Sequence, residues 1–218
     1  MGGYTLYGGA MSGAVAVEAA LTLAGLPYEL VDVYEDPAAL DRAAAQVPLR
    51  QAPALTFPDG GTLTESAAIL IRLAELNPQA RLAPGVDDPA RGAFLRWMSF
   101  VSAAIYAHYW LKDDPGRLVP DPALHGEVNR RIEARILDCW AVMEAQTDPA
   151  PFILGGAPGV LDLYVTVVSR FRPRRQAFYA AAPRLGDVVR RLDADPRLAG
   201  LWARRYPFFD GWDVRPAD

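Results

Sequence analysis

The chain has 218 residues, of which 51% are hydrophobic and 22% are charged, and its formal net charge at pH 7 is −4. This is the composition of an ordinary globular protein, long enough for one large domain or two small ones. The 22 basic residues are scattered among 26 acidic ones. Because phosphate recognition needs a concentrated positive surface, we do not expect a nucleic-acid-binding protein.

Cysteine and histidine are too scarce for several kinds of site. Cys139 is the single cysteine, which excludes an internal disulfide and a paired-cysteine redox or zinc motif. With only His108 and His125, a histidine-rich metal site is not expected, and we predict no metal. The first residues lack the features of a secretory signal, and no run approaches about 18 uninterrupted apolar residues. We therefore expect a cytoplasmic protein without a membrane span.

The first half of the N-terminal region changes period quickly, as a mixed α/β domain does. Residues 4–7 are aromatic and bounded by glycines, which predicts a strand, and residues 14–24 predict a helix that Gly25 ends. Residues 28–33 return to strand composition. A strand, a helix and a strand within about thirty residues form a βαβ unit, so the two strands are predicted to be parallel.

The second half of this region has a different layout. Residues 36–46 are alanine-rich and predict a helix. Residues 54–57 and 62–64 predict two short strands, and the turn of Pro-Asp-Gly-Gly between them makes the pair an antiparallel hairpin. Residues 66–76 predict a helix. The order βαβ, α, ββα with a mixed sheet is the thioredoxin-like layout.

A linker and a second domain follow. Residues 77–88 contain two prolines, one glycine and few large apolar residues, so we place a linker at 79–88, between domains at 1–78 and 89–218. Beyond the linker, apolar residues recur at spacings of three and four, and one segment is apolar nearly all round, as in the central helix of a bundle. This pattern predicts an all-helical C-terminal domain with helices at 89–112, 125–145, 160–171 (the central one), 185–192 and 198–206.

Two segments of the N-terminal domain resemble a known family. Residues 51–55 (Gln-Ala-Pro-Ala-Leu) and 63–69 (Leu-Thr-Glu-Ser-Ala-Ala-Ile) resemble the core motif of the glutathione transferase superfamily, and residues 6–30 resemble its N-terminal motif. The resemblance covers most of residues 4–76 and is looser beyond. It implies a thioredoxin-like N-terminal domain followed by a helical bundle, and a homodimeric enzyme that conjugates the glutathione thiolate to a small hydrophobic electrophile.

The resemblance also implies where glutathione would bind. The proline equivalent to Pro53 is cis in the family, so Ala52 would pair through its backbone N–H and C=O with the cysteinyl unit of glutathione. Ser66, a good N-cap, would hold the γ-glutamyl carboxylate together with the helix amides, and Glu65 would hold the ammonium. Gln51 is a candidate for the glycyl end. The structural alternatives are a plain strand-entry proline and an ordinary acidic helix cap.

Ser12 is the candidate that activates the thiol. A free thiol has a pKa of about 8.5, so the anion needs a donor, and Ser12 lies in the loop where the family carries its Ser, Cys or Tyr. Counting back from Gly25 puts Met11 at the strict position, so Ser12 assumes a one-residue adjustment, and a purely capping role is the alternative. Tyr7 is a rival, although a core aromatic is the favoured interpretation. Cys139 lies in an apolar stripe and is predicted to be inert packing.

Two features of the second domain extend the resemblance, and a third is independent of it. Tyr106 is a candidate for lining an apolar electrophile pocket, together with Tyr109 and Trp110, and ordinary core is the alternative. Asp162 resembles the family's helix-capping aspartate, but Gly159 replaces its partner, so only half of the reciprocal cap is expected. A basic cluster predicts either a solvated helix end or a site for an anionic substrate or a partner, and it consists of Arg170, Arg172, Arg174 and Arg175.

Two other functions stay open from the sequence. One is a non-catalytic ligand-binding or interaction protein on the same fold, because fold alone does not decide function. The other is a glutathione-linked reductase, isomerase or dehalogenase that uses the same thiolate. In each case the expected ligand is glutathione, as co-substrate in the enzymes, and no nucleic acid, membrane or metal is expected as a partner.

Overall fold

A computed structural model describes residues 3–36, 38–43 and 45–207 of the chain. The N-terminal domain is a mixed four-stranded sheet with three helices, as the sequence predicts. The predicted helix at 36–46 is shorter than expected, and its residues 37 and 44 lie outside the described part, as do residues 208–218 of the predicted second domain. The elements are β1 (Tyr4–Gly8), α1 (Ala14–Leu23), β2 (Tyr28–Asp32), α2 (Ala38–Arg42), β3 (Ala54–Thr56), β4 (Thr62–Thr64) and α3 (Ser66–Leu76).

The strands lie in the order β2-β1-β3-β4. β1 and β2 are parallel, with Tyr4 opposite Tyr28, which confirms the βαβ unit. β3 is antiparallel to β1 and β4, with Ala54 opposite both Tyr7 and Thr64. This register brings the end of β1, the start of β3 and the end of β4 to one edge of the sheet. The loop before α1, the residues before β3 and the start of α3 therefore meet there.

Two glycines end elements where the sequence predicts. Gly25 has a φ of 67° just after α1, and its N–H donates to the carbonyl of Thr22 at 3.1 Å. Gly60 has a φ of 87° in the hairpin turn, and its N–H donates to the carbonyl of Phe57 at 2.9 Å. Both backbone conformations suit glycine because it has no Cβ.

The helical domain follows α3. Apart from an isolated bridge between Phe152 and Gly155, residues 65–207 contain no strand. No helix in the described ranges is long and apolar enough to cross a membrane. The sequence prediction missed α8, a short helix between the predicted ones. The helices are α4 (Arg91–Phe100), α5 (His108–Asp113), α6 (His125–Ala145), α7 (Val160–Val168), α8 (Arg175–Ala181), α9 (Pro183–Asp193) and α10 (Ala199–Arg205).

The predicted helix at 89–112 is not one regular helix. A π-helical segment, Val101–Tyr106, separates α4 from α5, and the N–H of Ala107 donates to the carbonyl of Ser102, five residues back. The predicted apolar stripe is nevertheless buried. Its last residues recur at three successive spacings of four, which exceeds the α-helical period and suits a wider turn. The stripe consists of Phe94, Trp97, Val101, Ile105 and Tyr109.

One apolar core runs through both domains. Residues 14–21 of α1 are all buried, because the helix packs against α3 on one side and α7 on another. α7 is buried along its whole length, which confirms the predicted central helix. Within the predicted linker, Leu82 is buried, and its carbonyl accepts the N–H of Val160 at 2.8 Å. The bounds of the linker at 79–88 stay a prediction.

Candidate functional site

Ser12 lies at the sheet edge, in the turn that leads into α1. It is 7% exposed, its hydroxyl donates to the carbonyl of Gly9 at 2.7 Å, and its oxygen accepts the N–H of Ala14 at 3.3 Å. The hydroxyl of Tyr34 also interacts with Ser12. These contacts are those of a residue that caps the turn. To bind a thiolate, Ser12 would have to turn its proton from Gly9 to the sulfur.

Met11, at the position that strict counting favours, has no free donor for a thiolate. Its backbone φ is 53°, and its N–H donates to the carbonyl of Arg205, in the last turn of α10, at 3.0 Å. Its thioether side chain is exposed and carries no donor. Tyr7, the other rival, packs against a small apolar cluster that includes Val47 and Ala54, as the core interpretation predicts.

The segment before β3 presents an open stretch of backbone. The peptide bond between Ala52 and Pro53 is cis, which confirms the geometry that the resemblance implies. Pro53 is buried, Ala52 is half-buried and Gln51 is exposed. Within the described part of the chain, neither the N–H nor the C=O of Ala52 has a backbone hydrogen-bond partner. Such a segment can pair with an extended peptide as an added strand does.

The start of α3 differs in one respect from the prediction. The N-cap is Glu65, with φ 68° and ψ 108°, and it is exposed, whereas Ser66 is the first residue inside the helix. The predicted capping role of Ser66 is therefore wrong. Its buried hydroxyl shares a hydrogen bond of 2.8 Å with the hydroxyl of Tyr164 in α7. Because the first intrahelical bond is donated by Ile69, the preceding amides point out of the helix end and suit an anion.

Tyr106 reaches the loop before α1 from the helical domain. A Cβ placed on Gly13 would fall 2.1 Å from the hydroxyl oxygen of Tyr106, and the Gly13 backbone interacts with this hydroxyl. Only a glycine allows this approach. The tyrosine ring stacks on Phe171 at a centroid distance of 5.6 Å and meets Tyr164 edge-on at 6.1 Å. Burial raises the pKa of Tyr106, so its hydroxyl is protonated at neutral pH.

A cavity of about 510 Å³ opens between this loop and the helical domain. Ser12 lies on one wall, and most of the opposite wall is aromatic, as the prediction of an electrophile pocket requires. Trp110 is not part of that wall and lies 46% exposed beneath Arg117. The aromatic residues that line the cavity are Tyr34, Tyr106, Tyr109, Phe171 and Tyr206. Nothing in the sequence indicates that Tyr34, Phe171 and Tyr206 line one cavity, because the three residues come from separate segments.

The basic cluster divides into two pairs. Arg170 and Arg175 have fully buried side chains and share the carboxylate of Asp193, at 2.6 Å and 2.8 Å. For these two residues the prediction of a solvated helix end is wrong, because both guanidinium groups are internal. Arg172 is exposed and Arg174 is half-buried, and both line the cavity. Desolvation lowers the pKa of Arg170 to about 10.

Lys112, the only lysine, also lines the cavity. Its ammonium lies 2.7 Å from the Glu133 carboxylate, and both side chains are buried. Such a pair fixes two helices to each other, since removing either partner would leave a charge buried alone. Among the described residues, no cluster of three or more His, Cys, Asp or Glu side chains is placed to hold a metal ion.

Asp162 and Cys139 have the surroundings predicted for them. The Asp162 carboxylate accepts the N–H groups of Gly159 at 2.8 Å and Ile153 at 2.9 Å. Gly159 has no side chain that could accept a hydrogen bond from the helix in return, so only half of the reciprocal cap is present. Burial raises the pKa of Asp162 to about 6 and also raises the pKa of the Cys139 thiol, which is 1% exposed in the core.

Comparison with known proteins identifies the class that this fold and site define. Residues 14–76 match the family model for the N-terminal domain of glutathione S-transferases. An uncharacterized GST-like protein of Escherichia coli K12, YncG, is 26% identical over 202 residues, which cover 91% of this chain and 97% of that protein. A probable glutathione S-transferase of Zea mays, BZ2, is 29% identical over 211 residues, which cover 90% and 78%.

Solved structures agree. A glutathione transferase homologue from Sulfitobacter, solved with bound glutathione, is 25% identical and covers 92% of this chain and 97% of its own, with a TM-score of 0.78. A beta-class glutathione S-transferase from Sphingomonas chungbukensis shares the fold at 22% identity and a TM-score of 0.77, over 94% and 100%. The family-model match, these relatives and the solved structures together support a member of the glutathione S-transferase superfamily.

Proposed function

We propose that this protein is a glutathione transferase that joins the glutathione thiolate to a small hydrophobic electrophile. The observation that carries the proposal is the sheet register. It brings the open backbone of Ala52, the start of α3 and the loop with Ser12 to one edge, beside an aromatic cavity. The Sulfitobacter homologue that was solved with bound glutathione supports the same ligand.

Each end of glutathione has a chemically suitable partner. The N–H and C=O of Ala52 pair with the cysteinyl unit as an added strand. The outward amides at the start of α3, including that of Ser66, bind the γ-glutamyl carboxylate, and Glu65 binds the ammonium. Gln51, which is exposed beside them, contacts the glycyl end. The aromatic wall with Tyr106 receives the electrophile.

Ser12 stabilises the thiolate in this proposal. Lowering the thiol pKa by one unit requires about 1.4 kcal/mol of preference for the anion. A hydroxyl that turns from a neutral carbonyl to an anionic sulfur forms a stronger hydrogen bond, and the N-terminus of α1 adds its dipole. The nucleophile belongs to glutathione, whose sulfur forms the new bond while the leaving group departs with its electron pair.

The proposal is tested by binding and by turnover. Calorimetry should detect glutathione binding, and conjugation of 1-chloro-2,4-dinitrobenzene should fall about tenfold or more in Ser12→Ala. Absence of any heat of association would reject the glutathione site. Binding without conjugation of any electrophile would instead favour the non-catalytic alternative, and oxidised glutathione among the products would favour a reductase.

The proposal includes three further expectations, and among them only the homodimer and the role in detoxification are carried over from the resemblance. These are a homodimer, a cytoplasmic location with a role in detoxification, and domains bounded at 1–78 and 89–218. Light scattering on the purified protein tests the first, because a homodimer has twice the chain mass of 23.7 kDa. A single chain mass at micromolar concentration would contradict it.

A further inference from the structure

The proposed glutathione site makes no use of the Tyr106 hydroxyl. The ring lies half-buried on the helical wall of the cavity, and the hydroxyl meets the backbone at Gly13, in the loop that also carries Ser12. A side chain of the helical domain thus reaches the point where α1 begins. This is where the proposed sulfur would lie.

Three hydrogen-bond donors of this loop already have acceptors. The N–H of Met11 donates to Arg205, the hydroxyl of Ser12 donates to Gly9, and the N–H of Ala14 donates to the Ser12 oxygen. A sulfur atom would have to displace one of these contacts to gain a hydrogen bond from any of these three donors.

The proton of the Tyr106 hydroxyl, in contrast, has no acceptor among the described residues. The hydroxyl oxygen interacts with the Gly13 backbone, and a Cβ built on Gly13 would fall 2.1 Å from it. The titratable groups around it are Tyr34, Tyr164 and Asp113. Burial raises the pKa of Tyr106, so the group keeps its proton and stays a donor.

On the basis of the proposed glutathione site, we infer that the Tyr106 hydroxyl donates a hydrogen bond to the thiolate sulfur of bound glutathione and is a catalytic residue. The thiol releases its proton to water when it ionises, whereas Tyr106 retains its own. Hydrogen bonds to an anion are about twice as strong as neutral ones, and one such bond lowers the thiol pKa by about one unit.

The substitution Tyr106→Phe isolates this role. The ring contacts with Phe171 and Tyr164 do not involve the hydroxyl, so the aromatic wall is retained. We expect the pKa of the bound glutathione thiol, measured by ultraviolet thiolate absorbance, to rise by about one unit. The acidic limb of the kcat/KM profile should move with it, while the KM for glutathione stays within about twofold.

Tyr109→Phe is the matched control. Its hydroxyl faces the same cavity but donates to the carbonyl of Arg172 at 2.7 Å, so its removal should leave the thiol pKa unchanged. Ser12→Ala, measured in the same way, separates the two donors. An additional rise in the double variant Ser12→Ala with Tyr106→Phe is expected if both hydroxyls reach the sulfur.

Gly13→Ala gives a second test if Tyr106→Phe fails to fold. The added Cβ would displace the Tyr106 hydroxyl and leave the tyrosine in the chain, and the same rise in thiol pKa is expected. An unchanged thiol pKa in a folded variant that binds glutathione would overturn the inference and leave the proposed function standing. Failure of the unaltered protein to bind glutathione would overturn both.

Discussion

Arg205, in the last turn of α10, places its Nε 3.0 Å from Oε2 of Glu18, whose side chain is 1% exposed in α1. Glu18 also accepts the hydroxyl of Tyr28 at 2.8 Å. Burial and this carboxylate together raise the pKa of Tyr28 to about 12. This ion pair thus joins α10, the last described helix, to α1. The carbonyl of Arg205 also accepts the N–H of Met11, in the loop before α1 that belongs to the proposed site.

Replacing Arg205 with glutamine should destabilise the fold. The change leaves the Glu18 carboxylate buried without a cation, and we expect a loss of about 2 kcal/mol in the free energy of unfolding, reduced from the fully buried case because Arg205 is partly exposed. Urea denaturation measures it. Arg204→Gln, a change at the exposed neighbour in α10, is the control and should stay within about 0.5 kcal/mol of the parent protein. Equal losses in both would contradict the role of the pair.

Asp193→Asn should be more damaging still. Asp193 is the shared partner of two internal guanidinium groups, Arg170 and Arg175, so its neutralisation should cost about 3–5 kcal/mol of stability. Asp187→Asn, on the same helix α9, removes only an exposed pair with Arg190 and should cost less than about 0.5 kcal/mol. Thermal unfolding of the two variants side by side decides the point, and a small effect of Asp193→Asn would refute it.

Asp162 predicts a pH dependence of stability with a definite sign. Its pKa is raised by burial from 3.8 to about 6, so the folded state binds this proton more tightly than the unfolded state does. The resulting stabilisation is complete below pH 3.8 and is lost as the pH rises through about 6. Asp162→Asn removes this titration. Between pH 3.8 and about 6, the slope of the free energy of unfolding against pH should therefore be more positive in the variant than in the parent protein. Parallel slopes in the two proteins, measured by urea denaturation, would show that Asp162 has no such shift.

Glu65 separates binding from stability. In Glu65→Gln the ammonium of glutathione loses its anionic partner, so the Kd for glutathione should rise about tenfold, as calorimetry would measure.

In Glu65→Gly the φ of 68° is no longer unfavourable, and the fold should gain about 0.5–1 kcal/mol relative to Glu65→Ala. Glu29→Gln, an exposed change on β2, should alter neither quantity. An unchanged affinity in Glu65→Gln would remove Glu65 from the proposed site.

Local signals account for the parts of the fold that the sequence predicts well. β4, α3 and α6 have the predicted bounds, because a glycine turn or an amphipathic stripe marks each of them within a few residues. Pro53 and Ser66 also lie beside such local signals, and both are found at one edge of the sheet. These residues lie near strand ends, and the pairing of the strands places them together.

The errors at the candidate site share one physical cause, which is contact with residues far away in sequence. Ser66 is a good N-cap by type, but its hydroxyl finds Tyr164, which is 98 positions later. Arg175 is predicted to lie at a solvated helix end, whereas the structure pairs its buried guanidinium with the Asp193 carboxylate. Tyr106 illustrates the same limit, since no spacing in the sequence indicates that its hydroxyl would meet Gly13. Such partners are set by how helices pack, and they lie outside the short stretch of sequence from which each element is predicted.

The burial of residues 14–21 of α1 against both domains bears on how this molecule can be divided. A fragment cut at the predicted linker would carry α1 with the side that normally faces α7 turned to water. Hydrophobic surface of this kind promotes aggregation of an excised fragment. Chimeras that exchange one half of this chain for that of a relative would therefore have to replace the residues facing α1 as a set, and heating the intact chain should give a single unfolding transition.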